Sequence, residues 1–434
     1  MDEVDVVVVG AGVAGLAAAR RLAFAGKRVR VVEARARIGG RIETHRGLGL
    51  QPVEAGAEFM HGTTPLTASL ASEAGMLYAP IDGDSFLIRG QEALENGDAI
   101  GQLQQLLTRF RSEDIPAVAL IDRWIGQGEL TARHRDTYLR YVEGFNAADA
   151  SRVSSRSLAE QERAAVLIHG DSPFRPIGGY DALPRQLAAA LPEDTIRLRE
   201  VVTQISWKSG TVRVRGVSPL GSPREEIAAR AAVITLPLGV LKAGSVIFEP
   251  ALPASHLGAL AGLESGPVVK AVLKTTRELA RRQVPGADVP LAAVGFLHGS
   301  GLLFPVWWPQ RPLESNVFTG WAAGPDAGKL AALDDTELLE GAIRSLATLL
   351  RITPAALDAE VIGHLVTHWQ RDPFARGAYS WAVVGAFDAP RQLAEPISGA
   401  LFFAGEAANV EGQGGTVHGA LASGERAAQL ILQA

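Results

Sequence analysis

The feature that most constrains this chain lies within its first fifty residues. Val6-Val7-Val8-Val9 leads into Gly10-Ala11-Gly12-Val13-Ala14-Gly15-Leu16, and the stretch from Arg28 to Val32 ends on Glu33, 23 residues after Gly10. An apolar strand, a glycine-rich turn opening a helix, and a second strand closing on an acid form the pattern of a dinucleotide cradle. Gly10 is expected to permit the tight turn, Gly12 to let the backbone approach a pyrophosphate, and Gly15 to bring helix and strand close. Ala14 lies in the same turn. Glu33, followed by Ala34 and Arg35, is placed to accept from a ribose hydroxyl, while the helix start offers amide donors to phosphates.

Composition narrows the classes. At 434 residues the chain exceeds one ordinary core and is expected to form two domains. Hydrophobic content of 47% and charged content of 21% are those of a globular protein. A net charge of −5 with scattered Arg and Lys gives no basic footprint for nucleic acid. With no cysteine there is no disulfide, no thiolate metal site and no cofactor tethered through a cysteinyl thioether. The histidines are too dispersed for a metal centre, and His364 and His368, four apart, fall in a strand-like pattern. Asp2, Glu3 and Asp5 are wrong for a signal-peptide start, and no apolar run reaches the ~20 residues of a membrane span. A cytoplasmic protein, monomeric or homodimeric, is the expectation.

Nucleotide-type segments recur in three places: residues 1–62; the run from Gly178 through a helix at Leu183–Leu191 and strand-like Ile196–Ile205 and Val212–Val217 to Ala231–Leu236; and Ala400–Glu406 with a helix at Val417–Leu432. They read as one sheet domain built from three pieces. The predicted fold class is α/β: a Rossmann-like nucleotide-binding domain of residues 1–65, 176–240 and 386–434, beside a discontinuous mixed α+β substrate domain of 66–175 and 241–385. In the latter, Gly101–Phe110 and Thr131–Val142 read as amphipathic helices, and 267–275 and 291–322 as strands of a mixed sheet. Ser218–Pro223 reads as a hairpin loop.

The discriminating addition is Gly39-Gly40-Arg41, which resembles the block that two-dinucleotide-binding-domain flavoproteins place near the FAD diphosphate, where a guanidinium fork suits the anion. Four further blocks carry a wider resemblance: Glu54-Ala55-Gly56-Ala57-Glu58-Phe59-Met60-His61-Gly62; Thr235–Lys242 with Phe248-Glu249-Pro250; Trp369–Phe374 with Gly377-Ala378-Tyr379-Ser380; and Gly405-Glu406 with Gly415-Thr416-Val417-His418-Gly419-Ala420. Over nearly its whole length the chain resembles the flavin-containing amine oxidases, with polyamine oxidases and the catalytic domain of histone demethylases closest in flavour. The long helical insertion and extra N-terminal domain of the demethylases are missing, which disfavours a nucleosomal role.

The resemblance implies roles. Gly405 and Glu406 would bind the ribityl and diphosphate region, and Thr416 and Val417 would present helix N-terminal amides to the flavin. Ala57, Glu58, Val202, Gly415 and Trp369 complete the expected FAD contacts. Lys270, among Val268, Val269, Ala271 and Val272, matches the lysine that holds a water beside flavin N5; the competing reading puts it on an exposed edge strand, with Lys274 as candidate. Tyr379 matches one wall of an aromatic cage whose second wall, usually aromatic at the position of Thr416, is absent. Ala378 stands where monoamine oxidases attach FAD covalently, so binding is expected to be noncovalent. Glu58, His61, Tyr379 and Thr416 are expected to line the substrate path, although Glu58 fits a bond to the flavin-side backbone equally well. At most one of Trp307 and Trp308 can face the cavity.

The implied activity is oxidation of a primary or secondary amine or polyamine by hydride transfer to flavin N5, with the imine hydrolysed to a carbonyl and O₂ reduced to hydrogen peroxide. The alternatives are a flavin desaturase or dehydrogenase of carotenoid or porphyrinogen type, and an L-amino-acid oxidase, for which no pocket arginine is evident.

Overall fold

The computed structural model describes residues 2–90, 92–95, 97–170 and 172–434. At its centre is a five-stranded parallel sheet in the order Ile196–Leu198, Val29–Glu33, Val6–Val9, Ala231–Ile234, Leu401–Phe403. The three expected pieces of chain therefore meet in one sheet. The run of four valines follows from burial of both sheet faces. Val6 and Val8 feed the core under helices Val13–Phe24 and Val417–Gln433, whereas Val7 and Val9 feed a second core with Leu260, Leu263 and Phe403. Strand period two delivers successive side chains to opposite layers.

Glycine sets how closely the helices sit. A Cβ at Gly15 would lie 2.0 Å from the Gly10 carbonyl oxygen, and one at Gly424 would lie 2.1 Å from that of Ala14. The first helix is thus pressed against both the sheet and the last helix.

A second five-stranded sheet, in the order Asp2–Glu3, Ile227–Ala229, Thr211–Val217, Val201–Lys208, Ile247–Glu249, flanks the first. Ser218–Pro223 lies in the connection between two antiparallel strands of this sheet, as expected for a hairpin loop. Its strand Ile247–Glu249, with Val246, Leu252 and Leu260, packs on the nucleotide side, so this layer extends past residue 240. The remaining half is built on a seven-stranded sheet ordered 361–368, 268–275, 317–323, 306–309, 296–298, 85–89, 92–95. Helices Gly97–Arg109, Ala117–Gly126 and Ser155–Leu167 form a separate helical core beside it.

Three segments differ from their sequence patterns. Ile196–Ile205 is not one strand: Arg199, at φ 57°, breaks it, and its halves enter different sheets. Thr131–Val142 is a 3₁₀ turn, a short α-helix at Arg135–Arg140 and a π-helical turn at Tyr141–Phe145. Between 291 and 322, Leu291–Ala293 is a 3₁₀ turn ahead of three strands. His364 and His368 lie in the strand Val361–His368, as their pattern indicated. No helix among the described residues is long and apolar enough to cross a membrane, and no group of three metal-ligating side chains occurs among them.

Candidate active site

One continuous cavity of about 1170 Å³ runs from the central sheet to the seven-stranded sheet. That exceeds what a drug-sized ligand needs, as expected if a large cofactor and a substrate share it. Every residue singled out from the sequence for cofactor or substrate contact lines this cavity except Gly15, which sits behind the turn and acts through packing.

At the cradle, Gly10 has φ +106°, and a Cβ there would meet the Thr235 hydroxyl at 2.5 Å. Gly12 faces open space, so its backbone is bare toward the cavity. Glu33 is buried and accepts from the amides of Ala11 (2.8 Å) and Arg35 (2.9 Å), which fixes its carboxylate at the strand end. Gly39 and Gly40 both hold positive φ and turn the chain toward Arg41. Arg41 donates to Glu406 at 2.8 Å, and Glu406 also accepts from the Ser380 hydroxyl (2.6 Å) and the Gly415 amide (3.0 Å). A single buried carboxylate thereby ties together the arginine block, the tyrosine strand and the loop before the last helix. Thr416 caps that helix, its hydroxyl accepting from the Gly419 amide at 3.0 Å. The first-turn amides of a helix lack intrahelical partners, and the cavity reaches them at Val417. A bare glycine backbone, a fixed acid and an open helix N-terminus suit a dinucleotide diphosphate and ribose.

Lys270 lies on the strand Val268–Thr275, which is flanked on both sides by neighbours and is not an edge. Its side chain is 1% exposed. Its ammonium donates to the carbonyls of Glu54 (2.6 Å) and Gly56 (3.2 Å) and to Glu58 (2.5 Å). Lys274 is partly exposed on the same strand. Glu58 also accepts from Arg175 (2.6 Å) and from the Trp308 indole (2.9 Å). Burial by itself would raise the Glu58 carboxyl, but the charges of Lys270 and Arg175 outweigh it and hold it at about 2. The Glu54 carboxyl, by contrast, is pushed up by burial to about 7. Glu58 lines the cavity and is also the counter-ion of a buried lysine and a buried arginine, a role that neither reading of it included.

Tyr379 faces the cavity, and its hydroxyl donates to the Phe145 carbonyl at 2.7 Å. Burial, then the nearby Glu406, raises its phenol. The same cavity carries further aromatic residues, supplied by other elements. Tyr141 stacks on Phe145 at 5.3 Å, Phe145 meets His61 edge-on at 5.3 Å, and Trp308 contacts Phe59, Phe296 and Trp321. Trp307, its neighbour, points into the opposite core and donates to the Phe304 carbonyl. Burial lowers His61, His298 and His418 to about 4, so all three are neutral near pH 7. Trp369 donates to the Ala55 carbonyl (3.0 Å) and lies against Gly56, and Ala378 presents a methyl group to the cavity.

The sequence reading missed Arg175, the Tyr141–Phe145 turn and Glu162. Arg175, between Phe174 and Pro176, has no local spacing that announces its partner. The π-helical turn was concealed within a helix-like pattern.

Comparison with known proteins decides the family. The sequence matches the family described as flavin containing amine oxidoreductase over residues 13–119 and 99–432. The chain belongs to the flavin-containing amine oxidoreductases. It is 30% identical to probable polyamine oxidase 4 of Arabidopsis thaliana, covering 98% of this chain and 86% of that protein. It is 28% identical to human lysine-specific histone demethylase 2, covering 98% of this chain but 53% of that protein. In fold it is similar to cyclohexylamine oxidase from Brevibacterium oxydans, with a TM-score of 0.80 at 23% identity over 99% of both chains. A putrescine oxidase bound to putrescine gives a TM-score of 0.77 at 21% identity, covering 100% of this chain and 99% of that one. This family member is an FAD-dependent oxidoreductase.

Proposed function

We propose that this amine oxidase cleaves the C–N bond of an amine held between Tyr379 and the cofactor, with Lys270 serving the reacting centre from the opposite wall. FAD, held noncovalently, would supply a two-electron oxidation of the amine's C–N bond to an imine, which water hydrolyses to a carbonyl, with O₂ as the final acceptor giving hydrogen peroxide. The single observation that carries the reading is a lysine 1% exposed, inside the strand lining the cavity, whose charge is balanced by Glu58. Burying a charge is costly without pairing, so an unspecialised core position would not hold one.

The chain's own contribution is positional. Gly12, Glu33, Arg41 and the amides at Val417 would hold the diphosphate, ribose and ring. The positive end of the helix Val417–Gln433 favours negative charge gained by the ring on reduction. Tyr379 and the aromatic wall orient the substrate and exclude water, which fixes geometry before reaction. The substrate nitrogen must be uncharged to release hydride from its α-carbon. Among the described residues, the carboxylate that acts on the Tyr379 phenol, Glu406, is already engaged by Arg41, Ser380 and Gly415, which leaves it unsuited to take the substrate's proton. The amine is therefore selected in its neutral form. Anaerobic mixing of the purified holoprotein with a panel of amines tests the reading: bleaching of the yellow cofactor by at least one supports it, and no bleaching by any refutes it.

A further inference from the structure

We propose that Glu54 is a positioning residue for Lys270: its buried side chain holds the stretch 54–58 in the register that presents three acceptors to the lysine ammonium. The proposal rests on the place given to Lys270 in the reading above. Glu54 itself lies outside the cavity wall, so it acts on the reaction only through what it holds.

The stretch has two sides. Alternate positions meet Lys270: the carbonyls of Glu54 (2.6 Å) and Gly56 (3.2 Å) and the carboxylate of Glu58 (2.5 Å). The positions between them are bonded toward the arginine block. The amides of Ala55 and Ala57 donate to the carbonyls of Glu43 (2.8 Å) and Arg41 (3.0 Å), and the Trp369 indole donates to the Ala55 carbonyl (3.0 Å). A Cβ at Gly56 would lie 1.9 Å from the Arg41 carbonyl oxygen, so the stretch has no slack on that side. One piece of chain thereby sets the separation of Lys270 and Arg41.

Glu54 fixes the start of that piece. Its carboxyl, 8% exposed, accepts from the Tyr180 amide (2.8 Å) on one oxygen and from the Thr44 hydroxyl (2.7 Å) on the other. Thr44 in turn accepts from the Asp181 amide at 3.2 Å, which directs its hydroxyl proton toward Glu54. Both oxygens accepting is the pattern of an ionised carboxylate, whereas a protonated one must place a proton of its own against the Thr44 hydroxyl. Burial raises this carboxyl to about 7, against the opposing pull of those two bonds and of Lys270. The anchor therefore changes form close to neutral pH and grips the stretch most firmly above it. The charged and titratable groups around it are Lys270 on its strand, Glu58 on the same stretch, Tyr180 and Asp181 in the glycine turn, and His45 and Arg46 beside Thr44. Arg46 and Arg185 are bound to Asp181, and His45 to Glu43.

Anaerobic stopped-flow reduction of the holoenzyme across pH, with two reactive amines of different basicity, tests this. The wild-type limiting rate is expected to rise through a limb near pH 7 whose midpoint is the same for both amines. The rise is expected to be about tenfold, as for a sub-ångström displacement at a reacting centre. Glu54→Gln, an isostere of the protonated form, is expected to stay on the lower plateau without the limb. Thr44→Val removes one donor to the carboxylate and is expected to move the midpoint upward, while His45→Gln is expected to leave it in place. A second readout needs no amine. Because the carboxyl titrates higher folded than unfolded, wild type is expected to lose melting temperature relative to Glu54→Gln as pH rises from about 4.5 to 7, with a constant difference above. A limb that persists in Glu54→Gln, or that moves with the amine or with His45→Gln, overturns the proposal while leaving the amine oxidase reading intact. A melting difference that ignores pH does the same. So does an unmoved midpoint in Thr44→Val, whether or not Glu54→Gln folds. Reduction by no amine overturns both readings.

Discussion

Replacing Glu58 with Gln removes the one negative charge from a buried cluster of three. The carboxylate takes hydrogen bonds from Lys270, Arg175 and Trp308, and the two cationic side chains are 1% and 5% exposed. Glutamine keeps the volume but offers a single acceptor oxygen. Its amide nitrogen is forced against a donor, and both cations lose their counter-charge. Breaking a buried pair in this way costs ~3–5 kcal/mol. The fall of the Glu58 carboxyl from 4.5 to about 2 gives a compatible figure, ~3 kcal/mol at 1.36 kcal/mol per pH unit. With an unfolding entropy of about 2 cal/mol/K per residue, a chain of 434 residues melting as one unit would lose about 3.5–6 °C. Because the folded pKa is depressed, the stabilisation is complete above about pH 4.5 and is lost as pH falls toward 2. Wild type and Glu58→Gln should therefore converge in acid. The assay is thermal melting of holoprotein across pH, with Lys270→Met and the double variant closing a cycle. With Lys270 gone, a single cation is left uncompensated, so the second substitution should cost at least ~1 kcal/mol less than it does alone. A Glu58→Gln protein that melts within a degree of wild type at neutral pH, with flavin reduction unchanged, would refute the reasoning.

Three further outcomes are expected. Lys270→Met should keep FAD bound yet slow reduction or reoxidation by ~100-fold or more in stopped-flow half-reactions; unchanged half-reactions exclude a role in the reaction. Gly15→Ala places a Cβ 2.0 Å from the Gly10 carbonyl and must displace helix or turn, costing about 1–3 kcal/mol and much of the bound cofactor, which comparison of protein-to-flavin absorbance will show; a fully yellow, equally stable variant contradicts the packing argument. Since the reactive amine must be neutral, reduction should accelerate as pH rises toward the bound ammonium's pKa and then level off, and a flat profile would count against transfer from the neutral amine.

What the sequence made legible is what depends on neighbours along the chain. Turn, helix start and strand-terminal acid between Gly10 and Glu33 are set within 23 residues, and each glycine acts locally. Lys270 was legible because a charge amid valines in a strand needs a reason. The partners that supply the reason were not: Arg175 and Trp308 lie 117 and 250 positions from Glu58, and no spacing rule links residues joined only by tertiary contact. The aromatic lining was hidden similarly, since nothing at Thr416 signals that Tyr141, Phe145 and Trp308 reach the same cavity from elsewhere in the chain. Arg199 and the π-helical turn escaped because a single left-handed residue or one extra residue per turn leaves hydrophobic periodicity almost intact.

The central sheet sets an order on biosynthesis. Its second strand ends at Glu33, yet the strand that completes it begins at Leu401, roughly 370 residues later. At ~5–20 residues per second a ribosome takes roughly 20 to 70 seconds to cover that distance. Until that last strand is made, the strand Ala231–Ile234 has one lateral edge unmatched and the phosphate-facing turn lacks the helix Val417–Gln433. The full coenzyme cradle therefore exists only once the last strand and the last helix have been synthesised.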